Sequence, residues 1–251
     1  MCPFFGETML DAIRLYARQF PNPADGPGDY PVCMGGGLEP ERLLAAYSCG
    51  FFPWYNADEP IFWWSPDPRC LLLPSKFKLP SRSARILKKN PFRLSFDAAF
   101  SRVIEACAMP RAGQEGTWLN TDMISAYKCL HGLGFAHSVE AWADEDLVGG
   151  LYGIWLGKAF FGESMFHARP EASRAALAGL VNYLARNGCK FIDCQQATPH
   201  MLKMGAEAIP RDNFLKMLGD AIEPAEQSTA FRARRQSLVY MPEDDVWEAR
   251  S

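Results

Sequence analysis

The sequence predicts an α+β protein, and three stretches carry that reading. Residues 160–166 and 191–195 contain apolar runs that lead into a carboxylate, Glu163 in one and Asp193 in the other. Between them Ala176, Leu177, Leu180, Val181 and Leu184 recur at helical spacing, interleaved with Arg174, Asn182 and Arg186, and Gly188 stands where such a helix ends. Residues 136–142 alternate like a strand, Asp144-Glu145-Asp146 makes a turn, and residues 147–156 read as a second strand with Gly149 and Gly150 inside it. In an open sheet built on a strand, a helix and a strand, ligands gather beyond the carboxyl ends of the strands. Glu163, Asp193 and Gln195 are therefore expected in one cleft. Acidic residues at strand ends also serve as helix caps or turn formers, which is the purely structural alternative.

From the N-terminus, residues 20–37 are rich in Pro and Gly and read as loop. Residues 39–47 read as a short helix, with Pro40 early and Gly50 beyond its end. Three of the seven tryptophans, Trp54, Trp63 and Trp64, then fall within eleven residues, and Pro53, Pro60, Pro66 and Pro68 prevent one regular element there. Residues 70–96 carry Lys76, Lys78, Arg82, Arg85, Lys88, Lys89 and Arg93 without an acidic residue. Such a run is either a solvated face or a nucleic-acid contact. Gly116-Thr117-Trp118-Leu119-Asn120 leads into a helix with Ile124, Tyr127, Leu130 and His131, closed by Gly132 to Gly134. No internal repeat is present. From Gln227 onward the chain is polar and mixed, and Phe231, Leu238, Val239 and Trp247 predict only partial packing.

Composition narrows the function. A chain of 251 residues, 48% apolar and 22% charged, can bury a large core as one domain or two unequal ones. A net charge of −3 argues against a protein that coats nucleic acid, while leaving room for a local basic patch. The eight cysteines are scattered singly, with no Cys-x-x-Cys or His-x-x-x-His, so no metal site is expected and reduced thiols are. The first eleven residues do not form a secretory signal. The uncharged run at 147–157 is too short to span a bilayer, which needs about 20 residues. A soluble, cytoplasmic protein with no membrane partner is expected.

Four enzyme classes lack their motifs: there is no Gly-x-Ser-x-Gly, no Gly-x-x-x-x-Gly-Lys-Ser/Thr, no Gly-x-Gly-x-x-Gly after a strand and no His-Glu-x-x-His. The strand-helix-strand unit points instead to an acyltransferase arrangement. Coenzyme A users of that arrangement present a glycine-rich turn at the head of the helix, whereas residues 164–172 here contain no glycine. An acyl donor other than coenzyme A is expected, with no cofactor.

Eight strings taken in order resemble one family, the leucyl/phenylalanyl-tRNA–protein transferases of the GNAT-like fold. They are Gly36-Gly37-Leu38-x-Pro40-x-Arg42-Leu43-Leu44-x-Ala46-Tyr47, Phe52-Pro53-Trp54, Trp63-Trp64-Ser65-Pro66-Asp67-Pro68-Arg69, Gly116-Thr117-Trp118, Ala136-His137-Ser138-Val139-Glu140, Leu147-Val148-Gly149-Gly150-Leu151-Tyr152-Gly153, Gly162-Glu163-Ser164-Met165-Phe166 and Ile192-Asp193-Cys194-Gln195. The resemblance implies a small N-terminal domain over residues 1–69, contributing aromatic residues to the cleft, and a GNAT-like aminoacyltransferase domain over 70–251 with a mixed central sheet flanked by helices. It implies transfer of Leu or Phe, less readily Met, from aminoacyl-tRNA to proteins that begin with Arg or Lys, marking them for degradation by the N-end rule.

By motif position the resemblance implies Asp193 and Gln195 as the catalytic pair and Glu163 as a polar residue of the same site. Trp54, Trp118, Leu151, Phe160, Leu177 and Leu180 are implied to line the aminoacyl-adenosine pocket, with Tyr47, Tyr127 and Ser138 nearby. Lys76, Lys78, Arg82, Arg85, Lys88 and Lys89 are implied to bind tRNA. Gly37 replaces an Asp common in the family, and Leu180 occupies a position that can be aromatic, which widens the pocket. Residues 1–30 and those beyond about 225 carry no resemblance.

Chemistry fits this expectation. An aminoacyl ester is already activated, and a protein α-amino group with a pKa of about 7.7 to 8 is on the order of one-tenth neutral near pH 7. Gln195 cannot act as a base, so its expected work is to orient the amine while Asp193 attracts or accepts the proton. Glu163 is expected to offer a carboxylate to the cationic side chain of the acceptor. A coenzyme A-independent small-molecule or peptide N-acyltransferase would share the fold without explaining the tryptophans and basic run. A binding module would leave Asp193 and Gln195 idle.

Overall fold

The computed structural model describes residues 7–110 and 119–222. Its helices are α1 (Glu7–Ala17), α2 (Pro40–Ser48), α3 (Ser81–Leu87), α4 (Phe100–Ala108), α5 (Thr121–Gly132), α6 (Ala172–Arg186), α7 (Pro199–Lys203) and α8 (Arg211–Ala221). The strands are β1 (Cys33–Met34), β2 (Phe52–Pro53), β3 (Phe62–Trp64), β4 (Arg69–Leu72), β5 (Arg93–Phe96), β6 (Ala136–Ala143), β7 (Asp146–Leu156), β8 (Ala159–His167), β9 (Phe191–Asp193) and β10 (Glu207–Ile209). Trp118 and the tail residues Phe231, Leu238, Val239 and Trp247 lie outside the described residues.

The proline-broken aromatic segment supplies β2 and β3 of a small antiparallel sheet in the order β1-β3-β2, and β1 comes from residues 20–37, expected to be loop. Its strands are two or three residues long because the prolines leave no room for a continued ladder, and Pro53 sits on the edge strand β2, where no N–H is missed. Trp63 anchors this sheet: it is 1% exposed and its indole N–H donates to the Gly35 carbonyl at 2.9 Å.

The main sheet runs β10-β4-β9-β8-β7-β6-β5. Its one parallel ladder among the described residues is β8 with β9, the two strands that carry Glu163 and Asp193. A parallel pair needs a crossover, and α6 supplies it. Ten residues of α6 are buried, among them Ala176, Leu177, Leu180, Val181 and Leu184. A Cβ added at Gly149 would lie 2.6 Å from the Ala172 Cβ, so this glycine lets the first turn of α6 rest directly on β7. The α+β class, the mixed sheet and the strand-helix-strand unit are present as expected. The basic run is spread over a turn at Pro74–Lys76, α3, β5 and the segments between them.

Alternation along the strands sorts their side chains to two faces. Leu151, Phe160 and Ile192 pack against α6 with Leu177 and Leu180. Tyr152, Ile154, Phe161 and Phe191 face the opposite core, where they meet Tyr47 of α2, Tyr127 of α5 and Phe214 of α8. Arg211, at the start of α8, closes that side. Its guanidinium donates to the carbonyls of Ala24, Gly26, Pro27 and Ser65, and its backbone N–H donates to Asp67. No helix among the described residues is long and apolar enough to cross a membrane.

Candidate active site

The site is built around one buried ion pair. Arg69 opens β4 and Asp193 closes β9, and both side chains are 0% exposed. The Arg69 Nε donates to Asp193 Oδ1 at 2.9 Å and Nη2 donates to Oδ2 at 2.7 Å, a bidentate pair. The Arg69 guanidinium also lies over the Phe52 and Phe214 rings and donates to the Gly50 carbonyl at 3.1 Å. A buried charge demands such partners, since an unpaired one would cost several kcal/mol or more.

Asp193 in turn shapes the next residues. Its Oδ1 accepts the Gln195 backbone N–H at 2.9 Å, and the Gln196 N–H donates to the Cys194 carbonyl at 2.7 Å. The resulting three-residue turn is centred on Gln195 at φ 56°, a region costly for a side chain with a Cβ. Asp193 is thus a turn former as well as an ion-pair partner. The Gln195 side chain reaches out of this turn, and its Nε2 donates to Glu163 Oε1 at 3.3 Å.

Glu163 owes its direction to a β-bulge. Tyr152 pairs with Ser164 and Gly153 with Gly162, so Glu163 is the extra residue of β8. Its Oε1 accepts from the Tyr47 hydroxyl at 2.8 Å and its Oε2 from the Tyr127 hydroxyl at 2.8 Å, while those two hydroxyls stand 2.6 Å apart. Burial pushes the Glu163 carboxyl up to about 7. The tyrosine hydrogen bonds oppose the rise, the Asp193 charge adds to it and Arg69 counters it. Burial, followed by the nearby Glu163 charge, raises Tyr47 and Tyr127 well above the ordinary phenol range, so both remain hydroxyl donors.

On the α6 side, Phe160, Leu180, Val139 and Phe96 line a small pocket walled by Trp155 and Tyr183, whose rings meet edge to face at 5.8 Å. His137 and Ser138 form its polar edge. His137 Nδ1 is 2.8 Å from Asp97 Oδ2, and the Ser138 hydroxyl donates to the buried Glu140 at 2.5 Å. Leu151 and Leu177 belong to the same buried cluster as Phe160 and Leu180 without lining the pocket.

The structure therefore brings together Glu163, Asp193, Gln195, Tyr47 and Tyr127, and separately Phe160, Leu180 and Ser138 with Leu151 and Leu177 behind them. Trp54 stands apart on the small sheet, 37% exposed, with its ring 5.2 Å from that of Trp64. Lys76, Lys78, Arg82, Arg85, Lys88 and Lys89 are all exposed, and Lys76 is paired with Glu207 at 2.6 Å. Asp193 is wholly enclosed by Arg69 and the turn, so it faces inward and not toward an incoming amine. Both oxygens of Glu163 accept phenol hydrogen bonds, so an acceptor's cation would share that carboxylate with Tyr47 and Tyr127. Sequence reasoning gave no role to Arg69, although an arginine entering the apolar stretch Cys70-Leu71-Leu72-Leu73 signals a buried acidic partner. His137, Trp155 and Tyr183 were likewise not singled out.

The family described as leucyl/phenylalanyl-tRNA protein transferase matches residues 71–219, and the N-terminal domain of the same family matches residues 36–67. The chain belongs to this family. A relative from Syntrophotalea carbinolica is 56% identical over 191 residues, covering 76% of this chain and 83% of that protein. One from Nitrosomonas eutropha is 51% identical over 197 residues, 78% and 84% of the two chains, and one from Lawsonia intracellularis is 50% identical over 215 residues, 85% and 94%. All three are named leucyl/phenylalanyl-tRNA–protein transferase. The protein is an aminoacyltransferase with an α+β fold of the GNAT-like kind. None of the seven described cysteines forms a disulfide, and no metal-binding group of His, Cys, Asp and Glu occurs among the described residues.

Proposed function

We propose that the protein transfers Leu or Phe, and less readily Met, from aminoacyl-tRNA to the α-amino group of proteins that begin with Arg or Lys, marking them in the cytoplasm for N-end-rule degradation. The observation that carries this reading is the strained turn that holds Gln195 between the Arg69–Asp193 pair and Glu163, at the end of strands whose other face bears the apolar pocket. Residues 1–69 form the N-terminal domain and 70–251 the transferase domain in this proposal.

The donor's apolar side chain enters the pocket of Phe160, Leu180, Val139 and Phe96, backed by Leu151 and Leu177, with Ser138 at its edge. Trp54 and Trp118 complete the aminoacyl-adenosine site, with the buried Tyr47 and Tyr127 nearby on the other face of the sheet, holding Glu163. The exposed cations Lys78, Arg82, Arg85, Lys88 and Lys89, with Lys76, meet tRNA phosphates. The carbonyl of the Gln195 amide accepts from the attacking amine and fixes its approach, because Nε2 is already committed to Glu163. Asp193 acts through Gln195: it keeps the turn in place and leaves proton chemistry to the partly buried side of the cleft.

The deciding experiment incubates the protein with Leu-, Phe- or Met-charged tRNA and a peptide beginning with Arg, and reads the added residue by mass. A peptide beginning with Ala serves as the acceptor control. Extension of the Arg peptide alone, with acetyl-coenzyme A inert as donor, is the expected result. Acylation of small amines with no use of charged tRNA would replace this reading with a small-molecule N-acyltransferase.

A further inference from the structure

Counting protons around Glu163 gives a result that the individual hydrogen bonds do not. Three oxygen–oxygen contacts close a ring: Glu163 to Tyr47 at 2.8 Å, Glu163 to Tyr127 at 2.8 Å, and Tyr47 to Tyr127 at 2.6 Å. Two phenols bring only two protons. If both donate to an ionised carboxylate, the 2.6 Å contact holds no proton and sets lone pairs of the two phenol oxygens against each other. A third proton, on the carboxyl, removes the conflict. Glu163 Oε2–H then donates to Tyr127, Tyr127 to Tyr47, and Tyr47 back to Oε1, so that every oxygen of the ring is bonded and each bond polarises the next.

We propose that Glu163, Tyr47 and Tyr127 form a proton-accepting ring that takes up the proton the acceptor's ammonium group must lose before it attacks the ester. This rests on the transfer reaction proposed above. In the ionised ring the Glu163 carboxylate receives one proton from the acceptor's ammonium. The freed nitrogen pair forms the new C–N bond, the C–O bond to the ribose breaks, and a second proton from the same nitrogen goes to the departing oxygen. The ring later returns its proton to solvent. Ester and ammonium thus yield amide, free ribose hydroxyl and one proton, with no co-reactant.

The placement suits that task. Tyr47 and Tyr127 are both 0% exposed, while Glu163 is only partly buried and is the member an amine can approach. The amide of Gln195, the group proposed to hold the amine, touches Glu163 at Oε1. The groups that bear on Glu163 from each element packed against it are Tyr47 of α2, Tyr127 of α5, Tyr152 of β7, Asp193 of β9 and Arg69 of β4. Arg69 offsets part of the Asp193 charge, and burial rather than a neighbouring charge brings the ring near balance between its two-proton and three-proton forms. Its ionisation near neutrality, driven by burial, is in keeping with that balance.

Infrared difference spectroscopy of the whole protein between pH 5 and pH 9 tests the proton count directly. A protonated-carboxyl band that disappears with a midpoint near 7, is absent in Glu163→Gln, and shifts its midpoint upward by about one unit in Tyr127→Phe is expected. That variant keeps the ring's packing but removes one donor to the carboxylate. The kinetic arm is single-turnover transfer across the same range. Wild type should show a rise through about pH 7, and Glu163→Gln should lack it and run roughly a hundredfold slower at pH 7, keeping only the acceptor amine's own ionisation near 7.7 to 8. A band unaffected by Glu163→Gln, or a Tyr127→Phe midpoint equal to that of wild type, overturns the ring. A normal titration alongside an unchanged pH profile in Glu163→Gln overturns its role in proton uptake. Absence of transfer to any Arg peptide, with the band intact, would instead count against the proposed reaction.

Discussion

Replacing Asp193 by Asn should cost the protein both stability and turnover, and the two losses can be separated. The carboxylate accepts three N–H donors, two from Arg69 and one from the Gln195 backbone, in a place where neither charged side chain touches water. An amide keeps one acceptor oxygen and turns an NH2 toward the guanidinium, leaving the Arg69 charge uncompensated. Breaking a buried pair in this way costs about 3 to 5 kcal/mol. For a chain of this size each kcal/mol moves the melting temperature by roughly 2 to 4 °C, so a fall of roughly 6 to 20 °C is expected by circular dichroism. The double change Arg69→Met with Asp193→Leu removes both charges and should recover part of that loss, less about 1 kcal/mol each for the orphaned Gly50 carbonyl and Gln195 N–H. It restores no acceptor for the Gln195 N–H, so the turn at φ 56° loses its tie and single-turnover transfer should stay roughly a hundredfold below wild type. An Asp193→Asn protein that melts within about 2 °C of wild type would refute the stability argument. A double variant that transfers at the wild-type rate would refute the claim that Asp193 works by holding Gln195.

Three further outcomes are expected. Burial raises the Glu163 carboxyl to about 7, so the native chain binds more protons than the unfolded one between the ordinary carboxylate range and pH 7. Its contribution to stability is then full below the unfolded value and lost as pH rises through about 7. Wild type should lose melting temperature relative to Glu163→Gln between pH 5 and pH 8, and a pH-independent difference would contradict this. Donor choice should follow pocket shape: Leu- and Phe-tRNA react, Val- and Ile-tRNA react poorly because of stiff Cβ branching, and Leu180→Phe, which fills the pocket, penalises Phe more than Leu, as measured by competition between charged tRNAs. Binding of charged tRNA, read by filter retention across a salt series, should weaken by roughly 0.7 to 0.9 log units per log unit of salt for each phosphate contact. Arg82→Ala with Arg85→Ala should flatten that slope and spare a minimal aminoacyl-adenosine donor, whereas Lys76→Ala, already paired with Glu207, should flatten it less; equal losses with both donors would assign the arginines to folding.

Elements with a strong local period were legible in the sequence. The spacing of Leu177, Leu180, Val181 and Leu184 fixed a helix because one face had to cover a sheet, and the alternation at residues 136–142 marked a strand for the same reason. The contacts that make the site were less so. Arg69 and Asp193 are 124 residues apart and Tyr47 and Glu163 are 116 apart, and no local pattern encodes which strand lies beside which. The bulge at Glu163 was equally hidden, since an extra residue in β8 appears only once its register with β7 is known. Charge alone does not report elements: the cations of the basic run are exposed, and the stretch that carries them is divided among two strands and a helix to serve the sheet.

The reach of Arg211 has a consequence for the order in which the molecule is made. Its guanidinium binds carbonyls that lie 184 to 187 residues earlier in the chain, at Pro27, Gly26 and Ala24, as well as that of Ser65. On a ribosome adding about 5 to 20 residues per second, the loop and small sheet leave the exit tunnel roughly 10 to 40 s before the helix that clamps them exists. Through that interval the nascent N-terminal segment has its aromatic side chains and no clamp. It lacks those four hydrogen bonds until α8 has emerged. Ribosome-bound chains stalled just before and just after α8 emerges should therefore differ sharply in protease resistance at residues 20–65, far from the residues being added.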